Sequence, residues 1–259
     1  MSQPEGWKNY DDFAAGIDTN RLPSTQRLAG RTFALRFPGL AMRLDFRSGT
    51  ELDWSEGADR GTDAYDAVEV APDTYYIDIV FRTRPREALT LVVNTTSLHA
   101  LAIRCVVGNQ PVAGQPLVSQ TFAVGVLASD RAEPSGAPPA PTRDLIGMRT
   151  FQRYSPRHVY EHTYLNSERY CWQCLVGEQR GHGDVDLATY YRFDDQQYVF
   201  TFREFLIPVA SVFFFDMRTL RSTGKFLGVT AAGVVENRKA GAFIRQASLT
   251  RYEAGTEPV

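Results

Sequence analysis

The sequence says nearly the same thing twice, and that repetition restricts the fold more than any other feature. Leu28-Ala29-Gly30-Arg31-Thr32-Phe33 answers to Leu145-Ile146-Gly147-Met148-Arg149-Thr150-Phe151, and Trp54 answers to Trp172 at nearly the same offset. Tyr75-Tyr76-Ile77-Asp78-Ile79-Val80-Phe81 then corresponds to Tyr198 through Phe202, and Thr90 through Leu98 to Ser211 through Leu220. Ordered matches at near-constant spacing indicate a duplicated unit, and the period is far too long for a solenoid turn or a propeller blade. Each copy therefore closes a barrel of its own or shares one with its twin.

Within each copy, short aromatic and apolar segments stop at turn formers. Residues 31–37 end at Pro38-Gly39, residues 40–46 at Ser48-Gly49, and residues 50–54 run toward Gly57. This is the pattern of an antiparallel meander, continued by residues 75–81, 90–94, 100–107 and 120–127, and by alternating segments after Gly228. Ahead of it, Tyr10-Asp11-Asp12-Phe13-Ala14-Ala15-Gly16-Ile17 predicts a short N-terminal helix, with acidic residues in the first turn and glycine near the end. Proline density over residues 132–142 denies ladder hydrogen bonds and predicts a semi-extended connector. The expected organisation is an arm (1–27), a first barrel unit (28–131), a Pro-rich linker (132–142) and a second barrel unit (143–253). The fold class is mainly β.

A hydrophobic content of 43% over 259 residues can supply a core to both units. A net charge of −2, with no run of Lys or Arg, argues against a nucleic-acid partner. No stretch is apolar for long enough to span a membrane, and residues 1–30 lack a signal-like apolar core, so the expectation is a cytoplasmic protein without a membrane partner. Homo-oligomerisation is left open. Three cysteines fit a reducing compartment. Cys171-Trp172-Gln173-Cys174 spells C-x-x-C, but among aromatic residues in a strand the two thiols point to opposite faces roughly 10 Å apart.

Most chemistries find no support in the motifs. His158 and His162 would meet on a helix, but on a strand they lie about 13 Å apart, so no metal is expected. Ser222-Thr223-Gly224-Lys225-Phe226 lacks the remainder of a P-loop, and there is no G-x-S-x-G elbow or dinucleotide fingerprint, so no cofactor is expected either. What remains is acid/base chemistry inside a barrel. Tyr160, His162 and Tyr164 share one strand face and offer a proton acceptor between phenolic donors. Of the neighbours Arg203 and Glu204 one faces inward, Glu204 as a carboxyl of raised pKa or Arg203 as an anchor for a carboxylate. Asp216 lies beside Phe213, Phe214 and Phe215 and needs a partner if buried. Trp172, Tyr190, Phe213 and Phe215 are candidates for the ligand wall. The first copy is poorer in such groups, which places the site in the second.

These residues also carry a resemblance. Residues 160–166, Tyr190-Tyr191-Arg192-Phe193, Phe202-Arg203-Glu204 and Thr223-Gly224-Lys225-Phe226-Leu227-Gly228 look like the C-terminal half of the MoaF family, named for molybdenum cofactor biosynthesis. The likeness is strong over the second half and looser over the first. It implies tandem calycin or lipocalin-like antiparallel β-barrels, similar in outline to cofactor-free phenolic acid decarboxylases. The lipocalin G-x-W signature is replaced by Gly30-Arg31-Thr32-Phe33.

The functional expectation is a small-molecule-binding barrel acting as a cofactor-free lyase or isomerase on an aromatic or largely apolar metabolite. Decarboxylation, hydration and isomerisation all fall within the acid/base chemistry on offer. Its catalytic candidates are His162, Tyr160, Tyr164 and Glu204, and its ligand-binding candidates are Tyr190, Arg203, Phe213, Phe215, Asp216 and Trp172. The alternative is a non-catalytic lipocalin-like carrier or an accessory protein of molybdenum cofactor metabolism.

Overall fold

In a computed structural model of the chain, described for residues 6–259, each copy of the repeat closes its own barrel. The first runs β1 (Thr32–Phe37), β2 (Leu40–Phe46), β3 (Glu51–Glu56), β4 (Asp59–Ala71), β5 (Thr74–Val80), β6 (Glu87–Asn94), β7 (His99–Val107) and β8 (Val118–Leu127). Each strand is bonded to the next, and β8 returns to β1. After a two-residue strand, β9 (Ala140–Pro141), the second runs β10 (Met148–Ser155), β11 (His158–Tyr164), β12 (Arg169–Val176), β13 (Gly183–Asp194), β14 (Gln197–Arg203), β15 (Val209–Asp216), β16 (Arg221–Val229) and β17 (Val235–Leu249). It closes through β10–β17 and β12–β13, with β9 flanking β13. Both are up-and-down antiparallel barrels of the calycin type, which leave no long free edge.

The turns repeat as faithfully as the strands. Gly30 and Gly147, at φ 78° and 83°, each enter the first strand of their barrel in the left-handed region that a side chain resists. The N–H of Gly30 donates to the Phe46 carbonyl and that of Gly147 to Tyr164, in matching positions. Asp73 and Leu98 in the first unit, and Gln196 and Leu220 in the second, are the described non-glycine residues with positive φ. After β6, Asn94 Oδ1 accepts the N–H groups of Thr96 and Ser97; after β15, Asp216 accepts the N–H of Arg218 and the hydroxyl of Thr219.

Several expectations change in detail. The helix, α1, is a single turn over Tyr10–Phe13, capped at Ala14 and stopped short of Ile17 by Gly16 at φ 85°. The arm does not stand apart: residues up to Leu22, together with Val107–Ser119, group with Pro141–Val259, while Pro23–Val106 and Gln120–Ala140 form the other unit. Tyr10, Phe13 and Ile17 are buried in the core of the second barrel, and the Tyr10 hydroxyl donates to the Phe226 carbonyl at 3.0 Å. Gly228 makes this docking possible, since a Cβ there would sit 2.7 Å from the Tyr10 ring. Strand β4, long and acidic, was absent from the sequence-derived meander. No described helix is long and apolar enough to cross a membrane.

Candidate functional site

At one end of the second barrel a small cavity of about 30 Å³ remains open. That is room for about one or two waters. Its wall is Tyr154 of β10, Tyr160 and His162 of β11, Tyr170 and Trp172 of β12, Phe202 of β14, Phe226 of β16, Glu204 just beyond β14, and Gln179 from the loop after β12. The arm supplies the rest through Phe13 and Ile17. Alternation along β11 turns Tyr160, His162 and Tyr164 inward together, and sends Glu161 outward to Arg149 at 3.0 Å and to Gln173.

The Glu204 carboxyl and the His162 ring face this cavity without a described hydrogen-bond partner. Glu204 is 6% exposed, and among the described residues no donor or cation meets its carboxyl. Burial, reinforced by the negative charges of Asp186 and Asp184, pushes its pKa well above the usual carboxylate range and so favours the protonated form. His162 is 3% exposed, its Nδ1 is unpartnered, and burial lowers its pKa to about 3. At neutral pH it is an uncharged imidazole. The phenols of Tyr160 and Tyr170 are held protonated, chiefly by burial. Tyr160 donates to Gln179 Oε1 at 2.8 Å.

Behind the cavity lies a clamp. Trp172 Nε1 donates to Asp186 Oδ2 at 2.9 Å, and the Phe205 N–H donates to Oδ1 at 3.1 Å. Burial nevertheless raises the Asp186 pKa to about 7. The first barrel contains the same device: Trp54 Nε1 donates to Asp63 Oδ2 at 2.7 Å, and the Arg82 N–H to Oδ1 at 3.0 Å. Strand registers extend the equivalence. Trp172 faces His162 where Trp54 faces Leu44, and the residue before each clamping N–H is Glu204 in one barrel and Phe81 in the other.

Comparison with known proteins agrees with this duplication. Residues 139–250 match the MoaF C-terminal domain and residues 5–109 the MoaF N-terminal domain. Protein MoaF of Klebsiella aerogenes is 32% identical over 197 residues, covering 72% of this chain and 75% of that protein. The chain belongs to the MoaF family. Among solved structures, one of a putative beta-lactamase from Burkholderia vietnamiensis aligns with 40% of the chain and 97% of its own, at 14% identity and a TM-score of 0.36, too low to bear on the fold or the chemistry.

In this MoaF-family barrel the candidates from sequence divide into three groups. His162, Tyr160, Glu204 and Trp172 meet at the cavity. Tyr164, Tyr190, Phe213 and Phe215 are buried deeper in the aromatic core. Tyr164 belongs to a satisfied polar chain, bonded to Thr150, which takes a hydrogen bond from Gln152, which in turn takes one from Ser222. Tyr190 donates to the Arg169 carbonyl and stacks on Phe200. Arg203 and Asp216 are not in the cavity: Arg203 takes the opposite face of β14 from Phe202, and Asp216 binds its own turn. Strands β14 and β15 are buried on both faces, so hydrophobicity alone did not mark the inside.

The structure adds Asp186, Tyr154, Tyr170, Gln179, Phe202, Phe226, Phe13 and Ile17 to the setting. Asp186 was reachable through the repeat, since Trp172 and Asp186 answer to Trp54 and Asp63. Phe13 and Ile17 had no comparable signal. Cys171 and Cys174 are free thiols on β12, with Cys174 buried in the core. Among the described residues no three His, Cys, Asp or Glu side chains gather as metal ligands would.

Proposed function

We propose that the second barrel binds a small, largely apolar or aromatic metabolite and transforms it by proton transfer, as a lyase or isomerase that draws its chemistry from side chains. The observation that carries this is Glu204, a carboxyl buried in a cavity without a described partner. Leaving such a group unmatched costs stability, and unmatched polar groups accumulate where function needs them. A carboxylic acid kept neutral by an apolar site is a strong hydrogen-bond and proton donor at pH 7. His162 supports the acceptor side as an uncharged imidazole, with Tyr160 and Tyr170 as donors alongside. Its low pKa makes it a weak base, so Glu204 rather than His162 is the principal proton-carrying group.

The test is deuterium uptake from D2O into acetophenone and 2-cyclohexen-1-one, followed by NMR with the full chain. Glu204→Gln should slow uptake by roughly 10²–10⁴-fold while leaving binding in place. Binding of both probes with no exchange above the uncatalysed rate would instead support a carrier.

A further inference from the structure

The charge of the ligand can be read from what the cavity lacks. Its described lining contains no Lys or Arg, and the one arginine expected to anchor a carboxylate, Arg203, lies on the other face of its strand. An anionic ligand would lose its hydration without gaining a counter-charge, beside a second carboxyl at Asp186. Asp186 already has two donors, from Trp172 and Phe205, so it makes no demand on a ligand. Glu204 has none among the described residues and lies in the cavity wall. An acid that retains its proton presents one O–H, and the complementary group is an acceptor oxygen. The rings of Tyr154, Tyr160, Tyr170, Trp172, Phe202 and Phe226 complete an apolar surround.

We propose that this cavity takes an uncharged carbonyl compound whose oxygen accepts a hydrogen bond from the Glu204 carboxyl. This deepens the proton-transfer reading and rests on it, since an ammonium ligand would draw the proton off Glu204 and remove the acid. Anything larger than a few atoms enters by displacing Phe13 and Ile17, the part of the described wall that belongs to neither the barrel strands nor their loops.

Three probes of similar shape decide it: acetophenone, benzoate and benzylammonium, titrated into the full chain at pH 7 with tryptophan fluorescence as the readout. Acetophenone should bind at least about tenfold more tightly than either charged probe. Glu204→Leu should weaken acetophenone about tenfold, whereas Glu204→Gln, which retains an N–H donor, should stay within about threefold of the wild type. Equal or tighter binding of benzoate or benzylammonium, an unchanged affinity in Glu204→Leu, or no binding of any probe at about 10 mM overturns the proposal. Exchange at the acetophenone methyl separates the two readings. Selective binding without exchange sustains the uncharged-ligand inference and defeats the catalytic one, and exchange without selectivity does the reverse.

Discussion

The two barrels share a scaffold and differ in what they do with its interior. Both have the left-handed glycine entry, the Asx-type turn and the Trp–Asp clamp. In the first, the position before the clamping N–H is Phe81, covered by the Arg84 guanidinium 3.9 Å above its ring, and Arg84 and Arg104 are neutralised by Glu56 and Glu87. Around Phe81 the described charges are paired, Arg82 with Asp63 as well. In the second, the equivalent position is Glu204, with no described counter-charge, in a cavity that also holds His162 where the first barrel has Leu44. Duplication thus preserved the parts that hold a barrel together, and the sites open to change were inward positions at one end.

The sharpest way to break this contrast is to treat Phe81 and Glu204 alike. Phe81→Ala should cost its barrel ~3–5 kcal/mol in urea unfolding, because a fully buried ring is lost. Glu204→Leu should raise the stability of the other barrel by ~1 kcal/mol, since an unpartnered acid is replaced by an apolar side chain. A destabilising Glu204→Leu would mean that the carboxyl serves the fold.

The next largest effect is in pH dependence, which only the second barrel should show strongly. Asp186 and Glu204 have raised pKa values when folded, so the unfolded chain releases their protons first. Their contribution to stability is present below the ordinary carboxylate pKa and is lost as pH climbs, through about 7 for Asp186. His162 has a lowered value, so its contribution is present above about 6.5 and lost as pH falls toward about 3. The opposed slopes give a maximum in mildly acidic solution. His162→Phe should leave stability falling steadily from pH 4 to 7, and Asp186→Asn should flatten the fall toward pH 7, by a few kcal/mol at most in thermal unfolding.

Removing the indole N–H tests whether the clamps are equivalent. Trp54→Phe and Trp172→Phe should each cost ~1–3 kcal/mol, because a buried aspartate loses a donor. Only Trp172→Phe should also move the pH profile of proton exchange. The smallest effect concerns a turn: Asp216→Asn copies the first barrel's Asn94 and should change stability by less than ~0.5 kcal/mol and leave ligand affinity unaltered.

The sequence carried much of this and withheld the rest for physical reasons. The meander, the duplication and the common face of Tyr160, His162 and Tyr164 follow from periodicity and from repeated residues. Strand β4 did not, because Asp59, Gly61 and Asp63 are residue types that strands disfavour, while Asp63 in fact satisfies an indole inside a barrel. The Arg203–Glu204 pair was ambiguous because adjacent residues on a strand exchange faces with a one-residue shift. Asp216 misled because three phenylalanines suggest a wall, whereas its carboxylate is engaged by its own turn. The arm's place could not be seen at all, since nothing local to Phe13 or Ile17 says which distant surface will cover them.

That arm has a consequence in time. The Tyr10 hydroxyl meets Phe226 across a separation of 216 residues, and all of the first barrel is made in between. During synthesis the segment must wait, unattached, until the last strands of the second barrel emerge, and contacts of such long range form late and slowly. The cavity's wall is complete only once Phe13 and Ile17 have docked, so the arm is what closes Glu204 and His162 off from water.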